Sequence, residues 1–272
     1  LEYAGGTGNS SVGVGWSLAV PAIRRSLRQG VPTYTDADEL VLEGIGAGRL
    51  VAIAPNEYRV EGKGKAIRVI RRGARFEVTD SDGVKYFLGT TGEGRVESEG
   101  QTASWYVQYI QNNANRSITY RYQHDDDQIY LSEILWGPGS RYRAAFTYSG
   151  RNDPVVSYAT GHRVRTDLRL ASVRVESFGE ELRTYHLGYD DTLSLARLRS
   201  VEMTGRGGAG ALPTLSFWYA QPEAAKTVAL AGTGGWNLDE RGVAFFDVDG
   251  DGAGDLVRLE MGNHAYRKNL GG

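Results

Sequence analysis

The sequence predicts an all-β fold built from many short antiparallel strands. Three observations carry that prediction. Glycine is abundant, at 37 of 272 residues, which suits frequent tight turns better than helices. Turn signals recur roughly every 8–12 residues, the spacing of sandwiches and barrels. No amphipathic stretch holds helical periodicity beyond about two turns. The best helical candidate, "DTLSLARLRSVEM", ends in "RLRSVEM", whose alternation reads as a strand after a turn.

The elements follow in order. "LEYAGGTGNSSVGVGWSLAVPAIRRS" reads as strand, Gly/Ser/Asn loop and strand, with Trp16, Leu18 and Val20 alternating until Pro21 ends the run. "TDAD" is a turn, and Leu40, Val41 and Leu42 form a short strand. Several short strands follow, divided by "APNE", "EGKGK", "RRG" and "DSDG"; the last, between "RFEVT" and "VKYFLG", is a hairpin signal. Three more strand pairs surround "QNNAN", "GPGS" and "FGEE". β-branched and aromatic residues alternate along them, as at Ile118, Tyr120 and Tyr122. The texture changes at "QPEAA", which reads as a linker. The expected organisation is a first β-domain over 1–219 and a second β unit over 220–272.

Composition excludes several function classes. Cysteine is absent, which removes disulfides, thiolate zinc sites and cysteine nucleophiles. A formal net charge of -2 gives no electrostatic reason to expect nucleic acid as a partner. No apolar run reaches the roughly 18 residues of a membrane span. Both ends read as cut from a longer chain.

The densest chemistry lies in "FFDVDGDGAGDL". Asp247, Asp249, Asp251 and Asp255 are four carboxylates within nine residues, and they repel unless a positive charge sits among them. Calcium takes oxygen ligands from such flexible loops. Asp247, Asp249, Asp251 and Asp255 stand at loop positions 1, 3, 5 and 9, with the Ala253 carbonyl at position 7. The expected ion is Ca2+ in a structural role. Position 12 is Arg258, where an EF-hand places a bidentate Glu, and the flanks "VAFF" and "LVRLEM" are strand-like. A calcium loop between two strands fits better than an EF-hand. The competing reading is an Asp/Gly turn whose carboxylates cap backbone amides.

No catalytic constellation emerges, and no catalytic residue is assigned. His124, His162, His186 and His264 fall in no metal-binding motif. No G-x-S-x-G elbow occurs. "GAGRL", "EGKGK" and "GRGGAG" match no phosphate loop and read as turns. "HDDDQ" reads as a solvated loop tip. "ESE" at Glu97–Glu99 lacks the strand that accompanies paired glutamates in ADP-ribosyltransferases and reads as a surface turn. Trp105, Trp136 and Trp218 lie in alternating strands and are expected in the core.

Several segments together resemble one family. "GTGNSSVGVGWSLAVPAIRRS", "GVPTYTDADELVLEG", "GHRVRTDLRLASVRV", "LRTYHLGYD", "LRSVEMTG" and "LPTLSFWY" occur in the order found in the virulence plasmid B protein (SpvB) family. That region is shared with the B component of insecticidal toxin complexes (Tc toxins). "NNANRSITYRY" and "YLSEILW" resemble the tyrosine-rich strands of RHS/YD repeats, and "FFDVDGDGAGDLV" resembles the FG-GAP/VCBS repeat. The resemblance implies a curved, shell-like β-sheet followed by the first blade of a β-propeller. It implies a non-enzymatic part of a secreted toxin complex. The partners implied are other parts of a longer chain, a C-component effector polypeptide and an A-component translocation channel. A calcium-dependent extracellular binding module, contacting ligand through Trp105, Trp136 and Trp218, is the second reading.

Overall fold

Residues 1–5, 8–63, 66–192, 194–220, 232–250 and 254–269 are described by a computed structural model. Among them there is no α-helix, only strands and three single turns of 3-10 helix. The chain divides into two compact units, Leu1–Trp218 and Tyr219–Gly272.

The first unit opens with two small ribbons. β1 (Glu2–Tyr3) pairs with β4 (Trp16–Ser17), and β2 (Asn9–Ser10) pairs with β3 (Gly13–Val14). An antiparallel meander follows: β5 (Ala22–Arg25), β6 (Leu40–Glu43), β7 (Gly48–Ala54), β8 (Glu57–Val60), β9 (Arg68–Arg72), β10 (Arg75–Thr79) and β11 (Lys85–Leu88). After β12 (Arg95–Ser98), the long β13 (Gln101–Gln111) pairs with β5 through Ser104–Tyr106 and with β11 through Val107–Gln111. Both ends of the meander are thereby tied, and eight strands close into a barrel. Closure leaves no edge to recruit another strand. Ile23, Leu42, Val60, Val69, Phe76, Val78, Leu88, Trp105 and Val107 fill it. Trp105 is 2% exposed and donates its indole N–H to the Ala74 carbonyl at 3.0 Å.

β13 also starts a second structure, a wall. β14 (Ser117–Asp125), β15 (Gln128–Trp136), β16 (Tyr142–Ser157), β17 (Val164–Ser177), β18 (Glu180–Asp190), β19 (Arg197–Gly205) and β20 (Leu215–Ser216) continue in strict neighbour order. "QNNAN", "GPGS" and "FGEE" are hairpin connections between these strands. One surface carries alternating charge. Arg121 pairs with Glu133, Glu133 with Arg143, Arg143 with Glu176, and Glu176 with Arg174. Such half-exposed pairs contribute only about 0–1 kcal/mol each. Their weight lies in register, because a slip of one residue would turn the whole ladder toward the core.

The opposite surface explains the tyrosine-rich strands. The hydroxyls of Tyr122, Tyr148 and Tyr189 donate to the carbonyls of Val107, Leu131 and Leu170, each on the preceding strand, at 2.5, 2.9 and 2.7 Å. Each ring fills apolar space while its polar end is satisfied by backbone. Burial pushes all three phenols above their ordinary pKa. Trp136 is half-buried at the end of β15. Trp218 departs from expectation: it is 87% exposed, because the strand pattern before it yields only the two-residue β20.

The apolar face of the wall is covered by residues between 8 and 20. Val12 is fully buried between Leu170 and Leu198. Trp16 meets Phe217 edge-on at 4.7 Å, and Leu18 and Val20 pack among the wall side chains. Burying a Val or Leu fully contributes roughly 1.5–3 kcal/mol. The cover is stitched by backbone bonds, Leu170 N–H to Ser11 O at 2.8 Å and Val14 N–H to Ala196 O at 3.0 Å. "SVGVG" is legible in these terms. Gly13 has φ +90°, and a Cβ there would stand 2.8 Å from the Ala196 carbonyl oxygen.

A buried ion pair latches the cover. The β16–β17 ladder breaks register between Gly150 and Val155. Arg151, whose side chain is wholly buried, bonds Ser10 O at 2.7 Å, Asn9 Oδ1 at 2.6 Å and the Asp153 carboxylate at 2.9 and 3.0 Å. Asp153 also accepts from Asn9 Nδ2 at 2.8 Å and from the Ala196 amide at 2.7 Å. Burial alone would raise the Asp153 pKa. The Arg151 guanidinium, the Ala196 amide and Asn9 outweigh it and hold the carboxyl well below the usual carboxylate range.

Two outcomes follow for stability. Gly13→Ala should cost roughly 2–3 kcal/mol, combining a disfavoured φ with a backbone clash. Gly73→Ala, with φ +61° and open space around it, should cost only about 1 kcal/mol. Urea unfolding of the two variants reads the difference. For Asp153 the folded pKa lies below the unfolded value of about 3.9, so its stabilisation is complete above that pH. It is lost as pH falls from there through the folded pKa. The stability gap between the native chain and Asp153→Asn should therefore be full at pH 6 and shrink below pH ~4; a gap that is constant with pH would contradict the latch.

Candidate functional site

The acidic loop lies in the second unit, between β21 (Val243–Phe246) and β22 (Asp255–Glu260), which with β23 (Asn263–Arg267) make a three-stranded antiparallel sheet. The loop therefore joins two strands. Asp251 and Ala253 lie outside the described residues. Asp247, Asp249 and Asp255 come together: one carboxylate oxygen from each lies within 4.8 Å of the others.

Each of the three has a definite job within the protein. Asp255 is wholly buried at the start of β22. Its Oδ2 accepts from the Val248 amide at 3.0 Å and its Oδ1 from the Asn269 amide at 2.8 Å, so it ties the loop to the chain after β23. Asp247 Oδ1 caps the Gly250 amide at 2.7 Å. Asp249 pairs with the Lys268 ammonium at 2.5 Å. Lys268 and Asn269 were not legible as site residues. They reach the loop only because β23 runs antiparallel to β22 and delivers its end beside the start of β22.

The donor set fits a hard cation. All three groups offer carboxylate oxygen and none offers nitrogen or sulfur. Each oxygen bonded to one amide keeps a second lone pair. Lys268 already neutralises part of the charge, so an ion would share or displace that contact. What the loop can do is staple two strands through its carboxylates. None of the three groups stands beside a histidine bond partner or a nucleophile in the contacts described.

The sheet has unlike faces. On one, Val243 and Leu256 are buried, and the Trp236 ring lies 5.8 Å from the Arg258 guanidinium and 4.8 Å from that of Arg267. On the other, Ala244, Phe246, Val248, Val257, Leu259 and Tyr266 line an open apolar hollow of 390 Å³. Phe246, Leu259 and Tyr266 are each at least half exposed. Consecutive apolar residues in "VAFF" were the available signal, since an apolar run on both sides of one strand implies cover on both sides.

The residues considered for catalysis are dispersed. His124 bonds the Glu93 carbonyl, His162 the Gln101 side chain, and His186 lies near Thr204 in the β18–β19 ladder. Glu97 belongs to β12, beside Arg95 and Thr102, and Glu99 sits at the hairpin turn with φ +51°.

Comparison with known proteins agrees with the architecture. A family model described as the Salmonella virulence plasmid 65kDa B protein matches residues 1–75. That span holds the cover and most of the barrel meander. The mono(ADP-ribosyl)transferases SpvB of Salmonella choleraesuis (strain SC-B67) and Salmonella enteritidis are each 29% identical over 157 residues, covering 45% of this chain and 26% of theirs. The chain thus spans about a quarter of the length of these relatives. The N-terminal domain of effector protein SpvB from Salmonella typhimurium strain LT2 superposes with a TM-score of 0.67 at 20% identity, covering 75% of this chain and 92% of that domain. The Photorhabdus luminescens Tc holotoxin pore gives 0.84, and a TcdB2-TccC3-Cdc42 structure gives 0.81. Both are 20% identical and cover 99% of this chain and 17% of theirs. The chain is similar in sequence to SpvB over part of its length, and in fold to the SpvB N-terminal domain and the Tc toxin structures.

Proposed function

We propose that this relative of the SpvB and Tc B-component proteins is a non-enzymatic building block of a secreted bacterial toxin complex. Its first unit forms part of a β-shell around an effector polypeptide. The observation that carries this reading is the wall: seven strands in neighbour order run on from a closed barrel, with backbone groups satisfied by ladders and apolar side chains packed against the segment before β5. Such a continuous hydrogen-bonded wall with short connections suits containment. The same fold extends over nearly the whole chain in Tc toxin structures. The partners in this reading are further parts of a longer chain, a C-component polypeptide and an A-component channel.

The second unit is, in this reading, the start of a propeller. Support comes from its apolar face, which is open among the described residues, since three strands with one side uncovered need a neighbouring sheet. The acidic loop takes calcium as a structural ion joining β21 to β22. Added calcium should raise the unfolding temperature of the Tyr219–Gly272 unit, and Asp249→Asn should abolish that rise. An equal rise in the variant would remove calcium from the loop.

Negative-stain electron microscopy of the longer natural protein, produced with its neighbouring partner chain, tests the whole reading. A hollow particle is expected. A compact particle or a string of small domains would overturn containment and favour calcium-dependent surface recognition.

A further inference from the structure

A charged cleft of 340 Å³ lies where the segment between β5 and β6 passes over strands β6 to β9 of the barrel. Its size falls in the range of small-ligand sites. Three arginines line it, and each is matched. Arg25 pairs with Asp38 at 2.6 Å, Arg71 with Asp36 at 2.8 Å, and Arg49 with Glu61 through two contacts of 2.6 and 3.0 Å.

Glu39 is left over. Its Oε2 stands 3.6 Å from Arg49 Nη1, beyond hydrogen-bond reach, because Arg49 is already turned to Glu61. Its Oε1 is buried and has no hydrogen-bond partner within the described protein. A buried carboxylate oxygen without a donor is costly, so the position is set for a donor carrying positive charge. Tyr58 also lines the cleft and adds aromatic surface, which favours a cation with an alkyl body.

We propose that this cleft binds a primary ammonium group on an alkyl chain, with Glu39 as its counter-ion. One carboxylate oxygen lacks a partner, while the other faces the Arg49 guanidinium. That arrangement suits the point charge of an ammonium and not the paired N–H fork of a guanidinium. The ammonium belongs either to a lysine side chain of a partner segment or to a free alkylamine. The inference is independent of the shell reading.

Calorimetric titration of the chain with butylammonium chloride, against potassium chloride at equal ionic strength, tests it. Saturable binding is expected, weakened at least about tenfold in Glu39→Gln. Glu61→Gln, an exposed change, should weaken it as well, because it frees Arg49 to close on Glu39. It decides the matter if Glu39→Gln does not fold. Lysine capped at both ends separates the sources. If it binds as tightly as butylammonium, the site takes a lysine side chain; if it does not bind, the site takes a small free amine. No saturable binding of butylammonium to the native chain, or binding unchanged in both variants, would overturn the proposal.

Discussion

A sheet with one apolar face must have that face covered, and the first unit depends on how this is done. The wall from β13 to β20 presents Phe146, Tyr148, Leu170, Leu187 and Leu198 on one side. The cover is the segment before β5, held by Val12, Trp16, Leu18 and Val20. Cover and wall are far apart in sequence, so the contact is established only late in chain order. Its stitching is correspondingly dense: two backbone bonds, a glycine against a carbonyl, and a buried arginine that reads the backbone of Ser10. Removing one partner of such a buried pair leaves an uncompensated charge, so the Arg151–Asp153 latch penalises any arrangement that separates the two.

β13 is the second dependency. It closes the barrel through β5 and β11 and begins the wall through β14. Core residues on this one strand, Trp105 and Val107, therefore belong to the barrel, while Ala103 packs in the wall cluster. The barrel and the wall share a strand, and their registers are fixed together. The ion-pair ladders on the exposed surfaces of both hold the same register from outside.

Local features were legible in the sequence. "DSDG", "QNNAN", "GPGS" and "FGEE" connect antiparallel neighbours, because turn chemistry is written in a few adjacent residues. The reading of "RLRSVEM" as a strand agrees with β19. Barrel closure was not legible, since the pairing of Ile23 with Trp105 leaves no local trace. Nor was the latch: Arg151 and Asp153 look like any charged pair before a proline, and only the register break at Gly150 turns them inward. Trp218 looked like a core residue because its neighbours alternate, yet β20 ends two residues before it. In the acidic loop the carboxylates were legible. The burial of Asp255 and the approach of Lys268 were not, because both depend on where β23 returns.

Hydrogen exchange of the amides of Val14 and Leu170 tests most directly whether the cover is integral to the fold. These two groups bond across the seam between cover and wall. If the cover is part of the cooperative core, both exchange only through the opening that releases barrel amides such as that of Gly89, which bonds Tyr106 O at 2.9 Å. If they exchange at open-chain rates while the Gly89 amide stays protected, the cover is a peripheral strap, and the wall is stabilised by something other than the segment before β5.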